Sequence, residues 1–364
     1  MAYDPVDWAV AERVAVRVAG RSLPFVDSRA SQRLVDDFAE LTPVAEELVG
    51  DATGLRSLEG PARAEVTDRA GWIRANLRSF RRLLTPLLER AETNGSGPLA
   101  RKMPEPLARA TRAVAGTELG AVLGWMSTRV LGQYDLLLTE DSDTPGDVVY
   151  YVGPNVVSLE RRHGFAARDF RLWIAIHELT HRAQFTGVPW MRQHFLDLVD
   201  RGVSIGAPDP KAIAAALARM AREIGAGKNP IAESGLVGVL ATPEQAEVLR
   251  TIQALMSLLE GHGDVVMNRA ASDRIPEAQR FAETLQARRD SARGVTKLLQ
   301  QLIGMDAKMR QYREGEQFVE SVEAHAPELF PLVWEHPKYL PSLDEVRDPA
   351  SWIARVGGRS LEIA

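Results

Sequence analysis

The chain has 364 residues, 45% of them hydrophobic and 26% charged, the balance of a soluble globular protein with room for one large domain or two ordinary ones. Its 44 basic and 49 acidic residues leave a net charge of −5, which gives no electrostatic basis for binding nucleic acid. With no cysteine, neither a disulfide framework nor a thiolate metal site is available.

The first residues carry neither a basic n-region nor an apolar h-region, so no signal peptide is expected and the reading is cytoplasmic. Asp4-Pro5-Val6-Asp7 reads as a helix opening with Asp4 as cap and proline in the first turn, and Gly20 as the close. Ser31–Glu40 and Pro43–Val49 read as two helices broken at Thr42-Pro43. From Val66 to Arg90 the apolar set Ile73, Leu77, Phe80, Leu84 and Leu88 recurs at helical spacing. Arg69, Arg74, Arg78, Arg81 and Arg82 in the same stretch read as a solvated face. Residues 92–104 read as an exposed loop and mark the boundary between an N-terminal helical lobe, 1–91, and the remainder, 105–364, unless the two are continuous.

Ala113–Leu131 is apolar with Gly116, Gly120 and Gly124 on one helical face. Glu118 and Arg129 interrupt it, so close packing of a buried helix is expected and no membrane span. Tyr134–Thr139 and Val148–Val152 read as strands around a turn-rich segment, the second ended by Gly153-Pro154-Asn155. A peptide could add itself to the edge of such a small sheet.

The most informative stretch follows. Within Asp169–Phe185, His177-Glu178-Leu179-Thr180-His181 has the pattern H-E-x-x-H. On a helix, residues four apart share a face, so two imidazole nitrogens converge on one point, a geometry that suits zinc. Glu178 is one residue round, able to reach a water on the metal without binding the metal itself and so to serve as a general base. The flanks are apolar on nearly every side, and in such a place unpartnered histidines and a glutamate would be costly.

After this helix, Trp190–Arg201 and Lys211–Ile224 read as helical. Thr242-Pro243-Glu244-Gln245 is a capping box that starts a helix running to about Asn268. Near its end Glu260 and Asp264 lie four apart on one face of an otherwise apolar helix, with glycines at 261 and 263 that weaken a helix unless something approaches closely. Two acids so placed call for a cation or its ligands. Pro276–Arg293 and Val295–Val319 continue in helices, and Trp334–Val356 reads as an irregular cover.

Three blocks, HELTHRAQF at 177–185, LLEGHGDVVM at 258–267 and KMRQYREGEQF at 308–318, together resemble the zincin-like type 2 metallopeptidases, from Trp8 to about Trp352. That family is also described as hydrolases associated with deazaflavin coenzyme biosynthesis, although no residue here marks a deazaflavin site. The resemblance implies a predominantly helical α+β fold of zincin type with a small sheet before the H-E-x-x-H helix. It further implies zinc held by His177, His181 and Glu260, with Glu178 as base. The residues alone leave the third ligand open. His194 has no fixed direction, and His262 sits about 200° round the helix from Glu260. Asp264 has the shorter arm and is better suited to accept the other ring N–H of a ligand histidine. Tyr312 is a candidate to steady an oxyanion or, alternatively, a core tyrosine.

The function expected is a zinc-dependent hydrolase, a metallopeptidase acting on a peptide or small amide through a zinc-activated water, with no nucleic-acid or membrane partner. The alternative is a catalytically idle zinc-binding protein of the same fold acting as an interaction or regulatory module. Oligomeric state is not legible.

Overall fold

The computed structural model describes residues 6–20, 29–93, 104–135, 147–204, 222, 242–272, 274–290 and 305–363. The chain forms two compact units, Met1–Gly187 with Arg269–Ala278, and Val188–Asn268 with Gln279–Ala364. The architecture is α+β and predominantly helical, with one small sheet.

In the first unit, α1 (Trp8–Ala19) opens on Asp7, whose carboxylate accepts the Val10 N–H at 2.9 Å. The cap is therefore Asp7 rather than Asp4, which lies outside the described residues, and Gly20 closes the helix at φ 72°. The expected break at Pro43 does not occur, because α2 (Arg29–Thr53) is one continuous helix. Packing on both sides of the proline outweighs its missing N–H. Phe38 stacks on Tyr151 with centroids 3.7 Å apart, and the hydroxyls of Thr42 and Tyr151 hydrogen-bond at 3.1 Å.

A strand that was not expected appears at the start of the helical stretch and overlaps it only at Val66 and Thr67: β1 (Arg63–Thr67) precedes α3 (Arg69–Thr93). Arg-Ala-Glu-Val-Thr does alternate polar with apolar, but over only five residues and with Ala64 and Val66 as its sole apolar members, and the turn between strand and helix is marked only by Asp68, which caps the Gly71 N–H at 2.7 Å. In α4 (Glu105–Ser127) the three glycines face α1. The nearest atoms to a Cβ placed at 116, 120 or 124 are backbone oxygens of Asp7, Ala11 and Ala15. No helix among the described residues is long and apolar enough to cross a membrane.

The sheet has the order β1-β3-β2. The edge strand β2 (Gly132–Tyr134) starts two residues earlier than expected, and 136–139 lie outside the described residues. The central β3 (Val148–Val152) is fully buried. It pairs in parallel with β1, Arg63 opposite Val148, and antiparallel with β2, Tyr134 opposite Val149. Gly153-Pro154 ends that strand by opening another helix, α5 (Gly153–His163), a role for which proline in the first turn is suited. The H-E-x-x-H helix follows as α6 (Ala167–Thr186).

The second unit begins with α7 (Met191–Ser204); the helix expected over 211–224 and the loop after it lie outside the described residues, apart from residue 222. The long α8 (Pro243–Ser272) carries the expected capping box: Gln245 N–H donates to the Thr242 hydroxyl at 3.2 Å, and Thr242 N–H to the Gln245 side chain at 3.0 Å. Then come α9 (Ala278–Asp290), α10 (Met305–His325), α11 (Leu332–Glu335), a 3-10 turn at Pro337–Tyr339, α12 (Leu343–Arg347) and α13 (Pro349–Ile363). The C-terminal cover is thus a set of short helices rather than irregular. Its apolar residues, Trp352 and Val356 among them, share one core with Leu258, Val265, Phe318 and Val322.

Candidate metal centre

Helix α6 is buried on almost every side, as its apolar flanks imply. Along residues 170–186 only Leu172, His177 and His181 are not fully buried. The two histidines, with Leu172, thus form the partly accessible side of an enclosed helix. Their Nε2 atoms lie 3.2 Å apart with the rings nearly perpendicular at 84°. Two nitrogens on a tetrahedral zinc at about 2.0–2.1 Å would stand about 3.3 Å apart. Nδ1 of His181 donates to Oε1 of the buried Gln184 at 3.0 Å. That bond places the ring proton on Nδ1 and turns the Nε2 lone pair toward the shared point, the orientation a metal ligand needs.

Glu178 is 7% exposed. Its Oε2 accepts the backbone N–H of Tyr134, on edge strand β2, at 3.1 Å. Gly132, two residues earlier, lies so close that an added Cβ would stand 2.6 Å from Glu178 Cγ and 2.8 Å from its Oε1. Tyr134 also faces Phe185 of α6, with ring centroids 6.4 Å apart. The seat of α6 is fixed by charge as well as packing. Arg182 reaches Asp147, Glu46 and the Gly60 carbonyl, while Arg171 reaches Glu160 at 2.8 Å and also Asp37. Burial works against both guanidinium charges, yet the carboxylate partners outweigh it and hold both above the ordinary arginine value.

On α8, between Ala254 and Met267, only Met256, Glu260 and Asp264 are not fully buried. They form a single i, i+4, i+8 stripe. The glycine at 261 has a packing reason: a Cβ there would meet the backbone of Gly315 and Glu316 in α10, and one at Gly315 would meet the Ser257 carbonyl. His262 points elsewhere on α8, its ring 4.9 Å from Trp334 and 5.7 Å from Phe330. His194, on α7, packs edge-on against Trp190 at 5.7 Å, and burial, followed by Arg201, holds its imidazole below the usual range. Tyr312 lies in α10, but its side chain is outside the described residues.

His177 and His181 bring two imidazole nitrogens together on α6 of the first unit, and Glu260 lies on the half-buried stripe of α8 in the second. Two imidazole nitrogens so placed, with carboxylates among the candidate ligands, are donors that suit zinc, so the residues present fit the metal. Sequence reasoning missed Gln184, Gly132 and Tyr134. Gln184 was within reach of helical spacing, three residues after His181. Nothing local in Gly132-Gln133-Tyr134 announces its contact with a helix more than forty residues on.

Residues 6–353 match the profile of the zincin-like metallopeptidases. Among solved structures the chain is similar to a candidate hydrolase with a novel fold from Chloroflexus aurantiacus. The two are 30% identical with a TM-score of 0.66, over 96% of this chain and 98% of that one. No protein of curated function matches.

Proposed function

The chain belongs to the zincin-like metallopeptidase family, and we propose that it is a zinc-dependent hydrolase, a peptidase acting on a peptide or small amide. The observation that carries this reading is the pair of imidazole nitrogens 3.2 Å apart on two half-buried histidines, with the carboxylate of Glu178 on the adjacent residue. A purely structural zinc has no use for that carboxylate.

In this reading His177, His181 and Glu260 would hold the zinc. Bound there, zinc supplies a Lewis acid that polarises the scissile carbonyl and makes water acidic enough to lose a proton near neutral pH. Glu178 takes that proton and delivers it to the departing amine, so one side chain serves as base and then as acid. Gln184 keeps His181 in the ligating tautomer. Asp264, one turn beyond Glu260, is assigned as acceptor for the second ring N–H of a ligand histidine, and Tyr312 as donor to the developing oxyanion.

The test is cleavage of a mixed-sequence peptide library, followed by mass spectrometry, with the zinc-loaded wild type and zinc-loaded Glu178→Gln. Products from the wild type alone are expected, because the amide is nearly isosteric but cannot accept the proton. Cleavage at equal rates by both would remove Glu178 from the chemistry, and unchanged cleavage after chelation would remove the metal.

A further inference from the structure

We infer that the edge strand of the small sheet is part of the active-site machinery, with Gly132 and Tyr134 as positioning residues for Glu178. The inference rests on the hydrolase reading and adds to it how the base is aimed.

Strand β2 uses its two backbone edges differently. Toward β3 it bonds in register: Val152 N–H donates to Leu131 C=O at 2.8 Å, and Asp135 N–H to Val148 C=O at 3.1 Å. Tyr134 lies between those positions, so its N–H points away from β3, and it donates to Oε2 of Glu178 at 3.1 Å. One oxygen of the carboxylate is thereby fixed to the sheet. The other, Oε1, belongs to the group of atoms that crowd Gly132. The three atoms nearest to a Cβ at that position are Cγ, Oε1 and Cδ of Glu178, at 2.6, 2.8 and 2.9 Å. Nothing else lies nearer, so the missing side chain at 132 is specifically room for the glutamate.

The strand is itself held from its other face. Gln133 donates to Asn76 of α3 at 3.0 Å, and Ser79 of α3 donates to Asp135 at 3.1 and 3.3 Å. Alternate residues of one short strand thus divide the work: 133 and 135 are anchored to α3, while 132 and 134 present a bare backbone and an N–H to Glu178. A general base must be held to within a few tenths of an ångström to be effective, and a rigid strand does this better than a loop.

The test is a double-variant melting cycle on chelator-treated, metal-free protein with Gly132→Ala, Glu178→Asp and both together. Gly132→Ala is expected to lower the Tm by several degrees. Glu178→Asp, which withdraws the carboxylate by one methylene, is expected to recover most of that loss in the pair. Losses that simply add would overturn the inference, as would failure of the pair to recover if Gly132→Ala alone does not fold. Amide exchange gives a second readout that a merely structural glycine would not move. In Glu178→Ala the Tyr134 amide should exchange at least tenfold faster, while the Asp135 amide, bonded to β3, keeps its rate; an unchanged Tyr134 rate would also overturn the inference. Because neither readout needs metal or turnover, failure of either one, with a wild type that binds zinc, sinks the inference alone. A wild type that binds no metal sinks the hydrolase reading instead.

Discussion

Arg182 and Asp147 form a bidentate ion pair inside the protein, the arginine Nε 2.8 and 2.9 Å from the two carboxylate oxygens, with side chains 1% and 0% exposed. Arg182 follows His181 directly, and Asp147 directly precedes the central strand β3. The pair therefore ties the helix that carries His177 and His181 to the sheet whose edge strand bonds Glu178. Removing one partner leaves the other charge buried and uncompensated, so Arg182→Ala should cost about 3–5 kcal/mol. Urea unfolding monitored by circular dichroism checks this, and a loss below about 1 kcal/mol would place the pair among weak surface bridges.

Gln184 provides a separable effect. Replacing it by leucine removes the acceptor for the Nδ1–H of His181 while keeping the side chain's bulk. Zinc affinity, measured by competition with a chromophoric chelator, should fall about 10–100-fold without a comparable loss of fold. Equal affinity in the two proteins would show that the tautomer of His181 is fixed by some other means.

How much of this was legible in the sequence depends on the range of the signal. His177, Glu178 and His181 declare themselves because four residues make one helical turn, and Thr242-Pro243-Glu244-Gln245 declares its capping box for the same local reason. Pro43 misled because its local effect was real but outweighed by Phe38 and Thr42 packing on Tyr151, more than a hundred residues away. Strand β1 is hard to see because its alternation spans only five residues, with Ala64 and Val66 the only apolar members, and it gains its identity from pairing with β3. Gly261 was noticed as costly in a helix, but its partner Gly315 could be found only in three dimensions.

That crossing can be tested. A methyl group at Gly261 has no room against the backbone of Gly315 and Glu316, and backbone cannot swing aside as a side chain can. Gly261→Ala should destabilise by at least about 1–3 kcal/mol, against the gain of a few tenths to 1 kcal/mol expected at an unobstructed helical glycine. Thermal melting distinguishes the two signs.

Glu345 sets a pH dependence of known sign. Burial acts first, to raise its pKa, but hydrogen bonds from Arg355 at 2.6 and 3.1 Å and from Ser342 outweigh it and leave the carboxyl below its usual value. An acid depressed in the folded state contributes stability above its unfolded pKa of about 4.3 and loses it as pH falls through the folded value. Glu345→Gln should therefore melt lower than the wild type at pH 7, and the gap should close on acidification below about pH 4. A gap that stays constant from pH 7 to pH 3 would mean that the charge on Glu345 contributes nothing.

The zinc content of the purified protein tests the central claim most directly, measured by inductively coupled plasma mass spectrometry on wild type, His177→Ala and Glu178→Gln after identical chelator-free preparation. The account predicts about one zinc per chain in the wild type and in Glu178→Gln, and little or none in His177→Ala, because three protein ligands define the site and Glu178 is not among them. A wild type without zinc or another divalent ion, or a His177→Ala protein that retains the full complement, would contradict it.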